Sequence, residues 1–196
     1  IPNSIDISKY PFKLREQSRP KLLWVRSFHR QYNPLMAADV LEGLLQIHPD
    51  AELCMVGPDK DGSLGEFKDY IRQKGTEEHV KITGKLSKED WISLSENYDF
   101  FINTTNVDNT PVSVIEAMAL GLCIVSTNPG GVRYLVIDQQ EALLVNTGDA
   151  GSLTAGICFL LQNHERYIQI VTAARLKAAS FDWKNVRALW LSLLSR

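Results

Sequence analysis

The stretch Asn103–Glu116 (Asn-Thr-Thr-Asn-Val-Asp-Asn-Thr-Pro-Val-Ser-Val-Ile-Glu) gathers groups suited to a charged, hydroxylated ligand. It follows a short apolar run and enters a helical pattern through Thr110 and Pro111. A helix start capped by Thr110 leaves its first backbone N–H groups unpaired at the positive end of the helix dipole. The amides around Pro111, Val112 and Ser113 then suit a phosphate. Glu116 lies about a turn and a half into this helix. Its carboxylate can accept two hydrogen bonds from a vicinal diol, as acidic residues do for ribose in dinucleotide sites. The same spacing fits a glutamate that only compensates the dipole, which on spacing alone is the commoner role.

Three further groups invite chemistry. Arg26 ends the apolar run Lys21–Arg26 and should face a crevice at the strand end. Asp59-Lys60-Asp61 has the form of a metal-binding pair of carboxylates, but Gly-Pro-Asp-Lys-Asp-Gly is also ordinary turn chemistry. Two carboxylates alone make a poor metal site, so the turn is preferred and no metal is expected. His29 reads as an exposed loop histidine rather than a base.

These residues need a scaffold. Apolar runs of strand type occur at Lys21–Arg26, Ala51–Gly57, Val80–Thr83, Asp99–Asn103, Cys123–Thr127 and Ala142–Val145. Helical patterns separate them at Pro34–Ile47 (capped by Asn33), Leu64–Lys74 (ended by Gly75), Lys88–Glu96 (capped by Ser87) and Val112–Leu120 (ended by Gly121). Three more helices follow at about Ala150–Gln162, Glu165–Ser180 and Trp183–Leu194. Strands apolar on both faces, alternating with helices, predict an α/β fold with a six-stranded, doubly wound, Rossmann-like parallel sheet. Ligands in such sheets sit beyond the C-terminal strand ends, which singles out the loops after Arg26, Gly57, Thr83, Asn103 and Thr127. Gly84-Lys85-Leu86 would offer backbone to a base. Gly130-Gly131 would let a ligand approach bare backbone. Trp183 and Trp190, seven apart, are expected to pack. Residues 1–20 read as an extended lead-in between lobes, 21–180 as the ligand-binding domain, and 181–196 as a C-terminal helix.

Composition narrows the classes. The 196 residues are 44% hydrophobic and 22% charged with a net charge of −2, which excludes disorder and a general basic surface for nucleic acid. No apolar run reaches the roughly 18–20 residues of a membrane span. Cys54, Cys123 and Cys158 each sit in an apolar run and form no Cys-x-x-Cys motif, so reduced core thiols in a cytoplasmic protein are expected. The chain opens Ile-Pro-Asn-Ser, without Met or a signal-peptide pattern, and reads as a segment of a longer protein.

Asp108-x7-Glu116, within DNTPVSVIEAMALGLCIVSTNPGG, resembles the E-x7-E signature of retaining GT-B glycosyltransferases, family 4 (glycosyl transferases group 1). Glu116–Gly121 (EAMALG), Gly130-Gly131 and the opening Pro2-Asn3-Ser4-Ile5-Asp6 match the same pattern. The resemblance spans nearly the whole chain and implies the donor-binding C-terminal lobe, without its N-terminal partner lobe. It implies that Glu116 binds the ribose hydroxyls and Asp108, one methylene shorter than the family's glutamate, the donor sugar. The amides around Pro111, Val112 and Ser113 would hold the diphosphate of a nucleotide-diphosphate sugar. Arg26 stands at the family's arginine, facing that diphosphate. The family's lysine, five residues on, falls on Gln31, so Arg30 beside it is either its substitute or a solvated loop charge. Tyr134 replaces an acidic residue that the family often carries after its glycine pair.

The implied reaction is sugar transfer with retention to an unknown acceptor, with no cofactor, and with Asp108, Glu116 and Arg26 as its central residues. The fragment alone should transfer little, and peripheral membrane association would run through the absent lobe. A GT-B epimerase or phosphorylase keeps the fold and changes the reaction. A degenerate lobe that only binds is a further alternative. A receiver-like signalling domain needs acidic residues where Val25-Arg26-Ser27 end the first strand, and is disfavoured.

Overall fold

A computed structural model describes residues 1–195. Its centre is one six-stranded sheet of β1 (Lys21–Val25), β2 (Glu52–Val56), β3 (Val80–Gly84), β4 (Phe100–Asn103), β5 (Cys123–Thr127) and β6 (Leu143–Val145). The order is β3-β2-β1-β4-β5-β6 and every pairing is parallel. This is the doubly wound Rossmann-like α/β sheet that the alternation of apolar runs implied.

The period of two along each strand builds two cores. Leu22, Trp24, Leu53, Met55, Phe100, Ile102, Cys123 and Val125 point to one face. There they meet α1 (Pro34–Leu45), α2 (Ser63–Gln73) and α6 (Ala150–Gln162). Leu23, Cys54, Val56, Phe101 and Ile124 point to the other, against α3 (Lys88–Ser95), α4 (Val112–Leu120) and α5 (Val132–Leu135). The long α7 (His164–Ser180) joins both cores, Tyr167, Ile170 and Val171 entering the first and Ala174 and Ala178 the second. Cys54 and Cys123 are buried there as free thiols, and Cys158 is partly exposed.

Local chemistry accounts for the helix starts. The Asn33 side chain accepts from the Met36 N–H with Pro34 in the first turn, and the Ser87 side chain accepts from the Asp90 N–H. The start of α4 differs from expectation. Its cap is Pro111, extended at φ −65° and ψ 111°, with no side-chain cap bond, so Thr110 stands one residue outside. The single turn α5 is too short for a periodic pattern and was not anticipated.

Residues 1–20 lie along the body rather than apart from it. Ile5, Tyr10 and Arg15 are buried. The Arg15 guanidinium donates to the carbonyls of Lys13, Ser95, Tyr98, Leu120 and Gly121, closing the C-terminal end of α4. Ile5 donates to the Phe181 carbonyl at 3.0 Å and accepts from the Trp183 N–H at 2.8 Å, tying the lead-in to the start of α8 (Trp183–Leu194). Arg196, included in the expected C-terminal helix, lies outside the described residues. Trp183 and Trp190 do not pack as expected, being 52% and 44% exposed beside exposed Leu189, Leu191, Leu193 and Leu194. Their spacing puts them on one helix face, and only Val186 of α8 is buried.

Candidate functional site

Beyond the C-terminal ends of β1, β2 and β3 lies a crevice of about 270 Å³. Arg26 and Ser27 follow β1, Gly57 and Pro58 follow β2, and Lys85 and Leu86 follow β3 to line it. Tyr32, Trp91 of α3 and Ser113 of α4 close its sides.

Arg26 enters this crevice. Its guanidinium is 16% exposed, pairs with the Asp108 carboxylate and lies 4.8 Å from the centre of the Tyr32 ring. Its Nε is buried without a hydrogen-bond partner among the described residues. Burial weakens its hold on the proton and the Asp108 charge restores part of it, so the group remains a cation. The Ser113 Oγ is also buried and unpartnered. With no side-chain cap bond on α4, the N–H groups of Val112 and Ser113 donate to nothing among the described residues. These are four donors without acceptors, one of them on a cationic side chain, which is the chemistry an anion would satisfy.

Glu116 is 5% exposed and stands on α4 about one turn beyond Ser113. Its Oε1 accepts from the Tyr10 hydroxyl at 2.7 Å and pairs with Lys88 of α3. Among the described residues its Oε2 takes no hydrogen bond. Lys88 is half-exposed and lies 5.6 Å from the centre of the Trp91 ring.

The other anticipated residues take different places. Asp108 lies against Arg26, and its Oδ1 accepts from the Asn109 N–H at 2.8 Å. Together with Asn3, Gln31 and Thr110 it borders a neighbouring polar hollow. Thr110 accepts there, through its carbonyl, from the Asn3 side chain at 3.0 Å. Arg30 is not brought to the crevice: it pairs with Glu66 of α2 on the exposed side of the loop. Gln31, at the family's lysine position, donates to the Val107 carbonyl at 2.9 Å. The cations near the crevice are therefore Arg26, Lys85 and Lys88.

The glycine pair has a packing reason. A Cβ on Gly131 would stand 1.8 Å from the Asn109 carbonyl oxygen, and one on Gly130 2.5 Å from that of Asp108. Gly131 donates its N–H to the Asp108 carbonyl at 3.0 Å. The bare backbone expected to admit a ligand instead admits the loop carrying Asp108.

The Asp59–Asp61 turn uses its carboxylates locally. Asp59 accepts from the Gly62 N–H, and Asp61 from the N–H groups of Arg30 and Ser63 and the Ser63 hydroxyl. His29 caps a short 3₁₀ turn, its side chain accepting from the Gln31 N–H at 3.1 Å. Tyr10 and Lys88 were not anticipated. Lys88 could have been found by following the chain past β3, since strand ends on that edge all face the crevice. Nothing in the sequence brings Tyr10 to a carboxylate 106 residues away.

Comparison with known proteins places this geometry. The sequence model of the family described as "Glycosyl transferases group 1" matches residues 6–177. A sulfoquinovosyl transferase of Arabidopsis thaliana is 24% identical over 74% of this chain and 28% of its own length. A GDP-mannose:cellobiosyl-diphosphopolyprenol alpha-mannosyltransferase of Xanthomonas campestris is 22% identical over 95% of this chain and 49% of its own. The chain thus spans half or less of these relatives. HepE of Anabaena, solved in complex with UDP, superposes with a TM-score of 0.86 at 20% identity, over 98% of this chain and 56% of that one. The C-terminal domain of a group 1 glycosyl transferase (LpcC) of Francisella tularensis superposes at 0.77 and 14% identity, covering 90% of this chain and 97% of that domain. These superpositions agree on a GT-B Rossmann-like lobe. With a family match over most of its length, this chain belongs to the group 1 glycosyltransferases.

Proposed function

We propose that the chain is the donor-binding lobe of a retaining glycosyltransferase that uses a nucleoside-diphosphate sugar. The observation that carries the reading is the set of unpartnered donors at one crevice: Arg26 Nε, Ser113 Oγ and the first amides of α4, the helix that carries Glu116 about one turn further on. That set fits a diphosphate, and the adjacent carboxylate fits a ribose. HepE has been solved with UDP and with UDP-glucose, which supports a sugar nucleotide as ligand.

In this reading Arg26, Lys85 and the amides of Val112 and Ser113 neutralise charge that grows on the departing diphosphate. Glu116 fixes the ribose, and Asp108, at the rim, receives donor-sugar hydroxyls once Arg26 turns to the phosphates. Charge neutralisation runs through these groups, with no resident cofactor in the scheme. The acceptor would be held largely by a partner lobe. No helix among the described residues is long and apolar enough to cross a membrane. Three free thiols fit a reducing, cytoplasmic setting.

The test is donor binding by the full-length enzyme at low salt. Arg26→Ala should weaken a sugar nucleotide by about tenfold to a hundredfold, the loss expected for a charge-assisted contact. Unchanged affinity would refute the diphosphate assignment.

A further inference from the structure

We infer that Tyr10 is a positioning residue for the donor: its hydroxyl holds one Glu116 oxygen so that the other is presented to the ribose. The inference rests on the ribose role proposed for Glu116. It concerns a residue of the lead-in, outside the sheet and its crossover helices.

Three observations carry it. The Tyr10 ring and the Glu116 carboxylate are 6% and 5% exposed, so water does not readily replace either partner. Both donors reaching the carboxylate, Tyr10 and Lys88, fall on Oε1, which leaves Oε2 open among the described residues. Two donors on one oxygen restrict rotation of the carboxylate plane and give its free oxygen a set direction. Tyr10 is itself held from both sides. Its carbonyl accepts from Arg175 at 3.0 Å, and the same Arg175 nitrogen reaches the Ala119 carbonyl at the end of α4. Arg15 ties the following residues to the Leu120 and Gly121 carbonyls. The lead-in and the helix carrying Glu116 are thus one braced unit. Burial, and then the bond to Glu116, push the Tyr10 phenol far above its ordinary value, so it stays a donor at working pH.

Lys88 cannot replace this hold. It is 46% exposed and approaches from α3, so its flexible ammonium follows the carboxylate rather than fixing it.

The test uses the full-length protein and whichever of UDP, GDP and ADP binds most tightly, together with its 2′-deoxy counterpart. Each is titrated calorimetrically into wild type, Tyr10→Phe, Lys88→Met and Glu116→Gln. Tyr10→Phe should shrink the preference for the ribonucleotide by about three- to tenfold, while 2′-deoxy affinity stays within about twofold. With the sugar nucleotide as substrate, KM should rise and kcat stay near wild type. A merely structural role would lower the melting temperature and weaken both nucleotides equally, and that result would overturn the inference. If Tyr10→Phe fails to fold, Lys88→Met, at a half-exposed site, still tests the argument: it should keep the ribose preference within about twofold, and a preference lost there would place the hold on Lys88 and overturn the inference. If Glu116→Gln erases the preference and Tyr10→Phe keeps it, Glu116 binds ribose without help from Tyr10. If none of the three nucleotides binds, or Glu116→Gln retains the preference, the ribose reading itself fails.

Discussion

Replacing Gly131 with alanine would drive a methyl group into the loop that carries Asp108. The new Cβ would lie 1.8 Å from the Asn109 carbonyl oxygen. An ordinary carbon–oxygen contact is about 3.3 Å, so the 108–109 backbone must retreat by about 1.5 Å. The retreat stretches the hydrogen bond from the Gly131 N–H to the Asp108 carbonyl and draws Asp108 away from Arg26. Forced repacking of this kind costs about 1–3 kcal/mol. At about 2–4 °C per kcal/mol for a chain of this size, the melting temperature should fall by several degrees. Misplacing a binding group by about 1 Å can cost two orders of magnitude in rate, so donor affinity should drop about tenfold or more. The assay pairs thermal denaturation with donor titration of the full-length enzyme. Gly65→Ala is the control, because Gly65 lies inside α2 with open space where its Cβ would go. It should stabilise by about 0.5–1 kcal/mol and leave donor binding alone. A Gly131→Ala protein with wild-type stability and affinity would refute the argument that this glycine positions the Asp108 loop.

Arg15→Met removes a buried guanidinium from five carbonyls and from Asp99, 3.6 Å away. Because Asp99 keeps Arg19, the loss should sit near the lower end of the about 3–5 kcal/mol for a broken buried pair, read as a lower urea midpoint. The Asp61 carboxyl is lowered from 3.8 to about 2, chiefly by the Arg30 N–H and then by the Ser63 hydroxyl. Its folded pKa is depressed, so its contribution is present above about pH 4 and lost as pH falls through about 2. A melting curve recorded from pH 5 to 2 should therefore decline less steeply in Asp61→Asn than in wild type, and parallel curves would refute the assignment.

The sheet was legible because its strands are apolar on both faces: Phe100–Asn103 is buried along its whole length, a run that a half-exposed strand would not carry. Periodicity could not report α5, one turn long, nor decide what covers α8. Trp183 and Trp190 share a face by arithmetic alone, and that arithmetic is silent about whether the face is buried. That Arg26 and Ser113 would line one crevice was legible for a similar reason: the end of β1 and the start of α4 are set by the chain path. Partners were not. Arg30 could have turned toward the crevice or toward Glu66, and the choice rests on an acidic residue of α2 that no local pattern connects to it. The Thr110 cap failed because Pro111, fixed in φ and extended in ψ, already occupies the capping position.

The contact of Ile5 with residues 181–183 joins the first residues of the chain to the last helix. Contacts so distant in sequence form late, after the sheet that separates them is in place. Release of the lead-in would therefore free the start of α8 at Ile5 and the end of α4 at Arg15 together. The same release would break the bond between Tyr10 and Glu116. A ligand that uses the carboxylate in the proposed way would then favour the closed form, and so hold the two ends of the chain together by mass action.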